Sequence, residues 1–133
     1  MELMPDVVER LNDAYVIWFT TVREDGMPQP TPVWFIWDND SFLIYSRPTA
    51  QKVRNIRKNP RVALNLNSDD EGNEYLVIMG EAFIETNHPP INETPAYLEK
   101  YREGITSIDM TPESMARSFS TAIRIKPLHL RGE

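Results

Sequence analysis

The sequence predicts a mainly β fold, a small antiparallel barrel of about six strands with peripheral helices, within one domain spanning residues 1–133. Three observations carry this. Short runs of β-branched and aromatic residues recur along the chain, separated by turn signals. The runs follow one another through hairpin-length connections, and hairpin-rich sheets of this size tend to close into barrels that remove vulnerable edges. The helical patterns are few and lie between or after the strands.

Residues 5–12, "PDVVERLN", suit a short amphipathic helix with Pro5 in its first turn and Val7, Val8 and Leu11 on one side. "AYVIWFTTV" (14–22) reads as a strand. "REDGMPQP" holds an Asp-Gly turn signal, which makes "PVWFIWD" (32–38) the partner strand of a hairpin. "DND" turns the chain into "SFLIYS" (41–46). Between Thr49 and Asn59, Ala50, Val53 and Ile56 share a helical face, and "NP" at 59–60 ends that helix. "RVALNLN" (61–67) alternates as a strand, "SDDEGNE" is a charged turn, and "YLVIMGEAFIE" (75–85) is a long strand interrupted by Gly80. A Pro-rich loop leads to two helical segments, "AYLEKYREG" and "PESMARSF", before a last alternating strand, "TAIRIKP" (121–127).

"YVIWFTTV", "VWFIW" and "YLVIMG" are apolar on both alternating faces, whereas a sheet with one wet face alternates with polar residues. Trp18, Trp34, Phe35 and Trp37 do not fit together into one small interior. Helices account for some outer cover. A second copy of the chain is the expected cover for the rest, in a symmetric homodimer whose interface exceeds the usual ~1,200–2,000 Å².

Composition excludes several chemistries. With no cysteine there is no thiolate or disulfide, and with two histidines, His88 and His129, no zinc or iron spacing arises, so no metal is expected. No GxSxG elbow, GxGxxG or P-loop pattern is present. If the chain is an enzyme, an organic cofactor carries the reactive chemistry. A net charge of −6 argues against nucleic acid as a partner. No apolar run approaches the ~20 residues needed to cross a bilayer, and "MELMPDVVERLND" lacks a signal-peptide core, so no membrane association and a cytoplasmic location are expected.

Against this acidic background, "SRPTAQKVRNIRKNPRV" (46–62) holds six of the fourteen Lys and Arg and no acid. Arg57, Lys58 and Arg61 sit at the C-terminal end of the helix, where its dipole favours cations. Arg54 and Lys58 share the wet face. Lys52 and Arg47 lie within a turn of the N-terminus, where a cation costs about 0.3–1 kcal/mol unless an anion offsets it. Lys52 also borders the apolar face. With the hydroxyls of Ser46 and Thr49 and the free amides of the first turn, these residues make a site for a phosphate or another anion.

The run "IYSRPTAQKVRNIRKNPRVAL", preceded by "DGMPQPTPVWF" and followed by "VIMGEAFI", resembles the split-barrel flavin-binding proteins related to pyridoxamine 5′-phosphate oxidase. It is most similar to their short branch of coenzyme F-420 (deazaflavin)-dependent enzymes. The likeness runs from about Ala14 to Gly80, with a weaker tail through "AIRIKP". It implies a homodimer of six-stranded split barrels with cofactors along the interface. By this resemblance Gln29, Pro30, Thr31, Pro32, Val33 and Trp34 form the wall beside the cofactor ring. The two prolines there lack N–H groups, which leaves Thr31, Val33 and Trp34 as backbone donors. Tyr45 and Ser46, with Gln51 and Lys52, match the phosphate-binding positions; Arg47 assists, and Arg54, Lys58 and Arg61 would meet the oligoglutamate tail of F-420.

The departures are informative. Gln29 and Gln51 stand where pyridoxamine phosphate oxidases carry arginines, and Trp34 stands where they carry a substrate-contacting lysine. Their C-terminal segment that grips pyridoxal phosphate has no counterpart at "LHLRGE". Oxidation of pyridoxamine phosphate is therefore not expected. The implied function is an F-420-dependent oxidoreductase that transfers hydride to a small electrophilic substrate. The alternatives are an FMN-binding oxidoreductase, or a flavin or tetrapyrrole carrier without turnover. Tyr45 and Tyr75 are candidate proton donors, and neither is assigned as catalytic.

Overall fold

A computed structural model describes residues 1–132. Helix α1 (Pro5–Asp13) leads into strands β1 (Ile17–Val22), β2 (Pro28–Val33), β3 (Ile36–Asp38) and β4 (Ser41–Ser46). Helix α2 (Gln51–Lys58), β5 (Arg61–Asn65) and β6 (Leu76–Ile84) follow, then a 3-10 turn (Ile91–Glu93), α3 (Pro95–Ser107), α4 (Pro112–Ser118) and β7 (Thr121–Gly132). The strands form one curled sheet in the order β2-β1-β5-β6-β7-β4-β3, antiparallel at every step. Among the described residues no helix is long and apolar enough to cross a membrane.

The expected strand over 32–38 is two strands, which raises the count from six to seven. β2 pairs with β1 and β3 pairs with β4, so they lie at opposite edges of the sheet although only Trp34 and Phe35 separate them. Three residue steps reach about 10 Å at most. The sheet must therefore curl until its edges nearly meet, and the chain crosses the remaining gap. The hairpin turn also ends earlier than expected: Arg23 N–H bonds to the Met27 carbonyl, and β2 begins at Pro28. Gly80 does not interrupt β6. It sits at a register shift where a Cβ would meet the Lys126 carbonyl oxygen, and the strand runs on through it.

The gap is held by a side chain from α3. Phe35 N–H donates to the Tyr101 hydroxyl at 2.8 Å, and the hydroxyl lies 2.7 Å from the Tyr15 carbonyl and 2.9 Å from the Phe35 carbonyl. A hydroxyl has one proton to give. Lys100 Nζ donates to the Phe35 carbonyl at 3.0 Å, which leaves the Tyr101 proton for Tyr15. Burial raises the Tyr101 hydroxyl above the ordinary tyrosine range, so it stays protonated, and burial brings the Lys100 ammonium down to about 8.

Two cores result. Inside the curl, Phe19, Phe35, Phe42, Leu64, Ile78 and Ile123 pack with Leu11 of α1 and Val53 and Ile56 of α2. Outside it, Ile36, Leu43 and Ala122 are covered by Tyr97, Tyr101, Ile105 and Met115 of α3 and α4. The aromatic run is divided accordingly. Phe35 is interior, Trp34 stacks on Tyr101 at 4.6 Å, and Trp37 meets Phe42 edge-on. Helices thus cover the outer face of β3 and β4. The outer face of β1 and β6 is different: Trp18 and Met79 are each 36% exposed and Phe83 51%, with Leu128 of β7 at 40%.

Replacing Tyr101 by Phe keeps the ring packing and removes the hydroxyl. The expected cost is about 1–3 kcal/mol, because a buried N–H and a carbonyl lose their partner. Urea unfolding of the Tyr101→Phe variant checks this; an unchanged midpoint would show that the hydroxyl does not hold the gap.

Candidate functional site

Two cavities of about 460 and 480 Å³ lie either side of Lys52. Met27 to Thr31 line the first, with Thr21 and Gln51. Pro32 to Trp34 and Tyr45 to Arg47 line the second, which α3 and α4 close with Tyr97, Met115 and the adjoining Ile108 and Phe119. Eleven of the twelve expected cofactor contacts therefore border one cavity or the other; Arg54 borders neither.

The wall formed by β2 follows from its prolines. Pro28, Pro30 and Pro32 stand opposite Val22, Thr20 and Trp18, whereas Gln29, Thr31 and Val33 stand opposite Thr21, Phe19 and Ile17. A proline has no N–H, so the β2 donors in this ladder are Gln29, Thr31 and Val33. The amides of Thr31 and Val33 therefore face β1 rather than outward, contrary to expectation. The open edge presents carbonyl acceptors, and Trp34, beyond the ladder, keeps an unpaired position.

At α2 the N-cap is Ala50, which offers no side-chain acceptor, and the first turn carries no acid. The amides of Gln51 and Lys52 precede the first intrahelical bonds, which begin with Val53 and Arg54 donating to Ala50. Among the described residues the half-buried Lys52 ammonium has no hydrogen bond or ion pair, and burial lowers it below the ordinary lysine range. Helix dipole, free amides and an unpaired ammonium point at one place.

Neighbouring polar groups are already committed. Gln51 Nε2 donates to Asn55 Oδ1 at 2.8 Å, and its Oε1 accepts from Arg54, which also bonds the Thr49 carbonyl. Ser46 Oγ, 3% exposed, donates to the Arg47 carbonyl, so it is not the free donor the sequence suggested. The Tyr45 hydroxyl is held by Thr94 at 2.7 Å and the Pro89 carbonyl at 2.9 Å, with His88 Nδ1 at 3.1 Å. Burial above all keeps that hydroxyl protonated. The Arg47 guanidinium rests 4.5 Å from the Phe119 ring centre. Tyr75 borders neither cavity.

Asn55 was missed by the sequence reading. It is 2% exposed, accepts from Gln51, and donates to Thr21 Oγ1 at 2.9 Å and Gln29 Oε1 at 3.0 Å. It ties α2 to β1 and β2 across the first cavity. The helical period gave no signal for it, because Asn55 falls about 100° from Ile56 and about 160° from Val53 around the helix, and only the packing of α2 on β1 and β2 buries it. The wall from α3 and α4 was also missed, because it depends on tertiary packing.

The model of the pyridoxamine 5′-phosphate oxidase family matches residues 3–132, nearly the whole chain. The chain belongs to this family. Among solved structures it is similar to an F-420 reductase, at 26% identity and a TM-score of 0.71, covering 98% of this chain and all 100% of that one. A Listeria innocua protein provisionally named as a pyridoxamine 5′-phosphate oxidase matches at 26% identity and TM-score 0.70, covering 98% of each chain. A haem storage protein of Vibrio cholerae, HutZ, shares the fold at 16% identity and TM-score 0.66, covering 99% of this chain and 95% of that one. No curated protein matches significantly. Proteins sharing this curled sheet thus include an F-420 reductase and a haem storage protein.

Replacing Asn55 by Ala strands the Thr21 hydroxyl and the Gln29 and Gln51 carboxamides, at an expected cost of about 2 kcal/mol. Replacing the exposed Arg54 by Ala should cost under about 0.5 kcal/mol. Chemical denaturation of the two variants side by side checks the contrast; equal effects would dismiss the network as a brace.

Proposed function

We propose that the protein is a coenzyme F-420-dependent oxidoreductase that reduces a small electrophilic substrate and works as a homodimer. One observation carries the reading: Lys52, half-buried and unpaired, stands at the N-terminus of α2 between two cavities. An anionic cofactor group bound there would restore the charge balance that burial upsets. The residues present fit such a group, since the ammonium and the first-turn amides are all donors.

F-420 is preferred over FMN on two grounds. Gln29 and Gln51 replace arginines and are drawn to Asn55 instead of the cavity, which weakens a site for a compact dianionic phosphate. The phosphodiester of F-420 needs fewer cations at that point. Its carboxylate tail would lie along the exposed Arg54, Lys58 and Arg61. When bound, the deazaflavin supplies hydride to a polarised double bond. Lys52 and the amides of Gln51 and Lys52 hold the anionic end. The carbonyls of Pro30 and Pro32, on the open edge of β2, would accept hydrogen bonds from the group, and Trp34 and Tyr97 would shield the space beside it from water. The outer face around Trp18, Met79 and Phe83 packs against a second copy.

A non-catalytic carrier of a flavin or tetrapyrrole is the second reading. The specific observation in its favour is that the hydroxyls of Tyr45 and Ser46 are both committed, which leaves the Tyr97 hydroxyl, made a very weak acid by burial, as the neutral donor lining the second cavity.

Fluorescence titrations of the protein with F-420 and with FMN test the reading, with F-420 expected to bind more tightly. The Lys52→Ala variant should lose about 10- to 100-fold in affinity, the worth of a charge-assisted hydrogen bond of about 1.5–3 kcal/mol. Unchanged affinity would remove Lys52 from the site. Oxidation of reduced F-420 by a panel of enones, nitro compounds and quinones separates enzyme from carrier. Sedimentation should give a dimer for the native chain and a monomer for Trp18→Lys; a native monomer would end the dimer proposal.

A further inference from the structure

We infer that the second cavity selects substrates with a flat apolar body and an anionic substituent, and that Arg47 is the residue that selects them. This rests on the reading of that cavity as the substrate side of the cofactor site.

The walls set the body of the ligand. Val33, Trp34, Tyr97, Ile108, Met115 and Phe119 give apolar or aromatic surface on several sides of a space of about 480 Å³. The polar atoms set the rest. Four lining residues carry polar side chains beyond the Trp34 and Tyr97 rings: Tyr45, Ser46, Arg47 and Lys52. The Tyr45 hydroxyl is turned to Thr94 and Pro89, so its ring alone faces the space, and the Ser46 hydroxyl is taken by the Arg47 carbonyl. What remains uncommitted is two cations and the neutral Tyr97 hydroxyl, which burial keeps protonated. Among the described residues no carboxylate lines the cavity, in a chain of twenty acidic and fourteen basic residues. A cavity with apolar walls, two free cations and no acid is complementary to an anion on an apolar frame.

The two cations have different duties. Lys52 also borders the first cavity, at the helix N-terminus, which suits the cofactor. Arg47 borders only the second, and its guanidinium carbon stands over the Phe119 ring, 4.5 Å from its centre. Cation–π contact fixes the planar fork without using its N–H donors. Among the described residues none of those donors meets a carboxylate. Arg47 is thus a positioned, unpaired fork that matches a carboxylate or sulfonate in two-point contact.

A matched pair of dyes tests this without any cofactor. 1-Anilinonaphthalene-8-sulfonate carries the anion; N-phenyl-1-naphthylamine has the same ring system without it. Fluorescence titration of the native chain should show the sulfonate binding more tightly. The Arg47→Met variant should lose about 10-fold in affinity for the sulfonate and change less than about twofold for the neutral dye, while Arg47→Lys restores part of the difference. Equal affinity of the native chain for both dyes would overturn the inference, as would an Arg47→Met variant that weakens both equally or neither. Where reduced F-420 is turned over, Arg47→Met should raise KM for an α,β-unsaturated carboxylate and leave KM for its amide unchanged. Failure to bind F-420 would defeat the cofactor reading alone, since the dye measurements stand without it.

Discussion

The seam between β2 and β3 governs this molecule, and one phenolic hydroxyl closes it. Trp34 and Phe35 must carry the backbone from one edge of the sheet to the other, where no neighbouring strand can serve their polar groups. Tyr101 accepts from Phe35 N–H and donates to Tyr15, and Lys100 takes the Phe35 carbonyl. Buried backbone groups left unpaired are costly, so this arrangement fixes where α3 must lie. Once α3 is placed, Tyr97 and Met115 follow, and the second cavity acquires its far wall beside Trp34. The binding face is therefore a by-product of how the barrel fails to close.

A second division of labour concerns charge. Around α2 the protein joins Gln51, Asn55, Thr21, Gln29 and Arg54 in one internal network, while Arg57 and Lys58 are exposed to solvent. That network makes Lys52 stand out, because its ammonium is partly desolvated and unpaired in the middle of otherwise completed hydrogen bonding. Elsewhere a buried cation is handled differently. Arg124, 7% exposed, pairs with Glu85 at 2.8 Å and Asp38 at 3.2 Å and bonds Ser41, knitting β7 to the β3–β4 hairpin. The contrast between the two cations separates a structural charge from one awaiting a partner.

Much of the fold was legible because it depends on local signals. Alternating apolar runs, the Asp-Gly turn at 25–26 and the Asn-Pro stop at 59–60 are read within a few residues, and the strands and α2 lie close to where these place them. The family was legible from the order of motifs around Lys52. The break at Trp34–Phe35 was not, because both residues suit a strand and only the distant Tyr101 makes leaving the ladder tolerable. The direction of the β2 amides was recoverable in principle, since three prolines at alternate positions already say which side faces solvent. The i,i+4 pairing of Gln51 with Asn55 was recoverable in the same way, whereas the commitments of Ser46 and Tyr45 to backbone carbonyls were not. Two-faced apolar strands announced cover on both sides, and the sequence could not say that helices would take one half of it.

The proline-bearing edge of β2 has one more consequence. An exposed edge strand normally invites another polypeptide to extend the sheet, the first step toward runaway aggregation. Here every outward-facing position from Pro28 to Pro32 can accept and none can donate, so an arriving strand would find half of each hydrogen-bond exchange missing. The margin kept open for a small guest is thereby closed to a growing fibril.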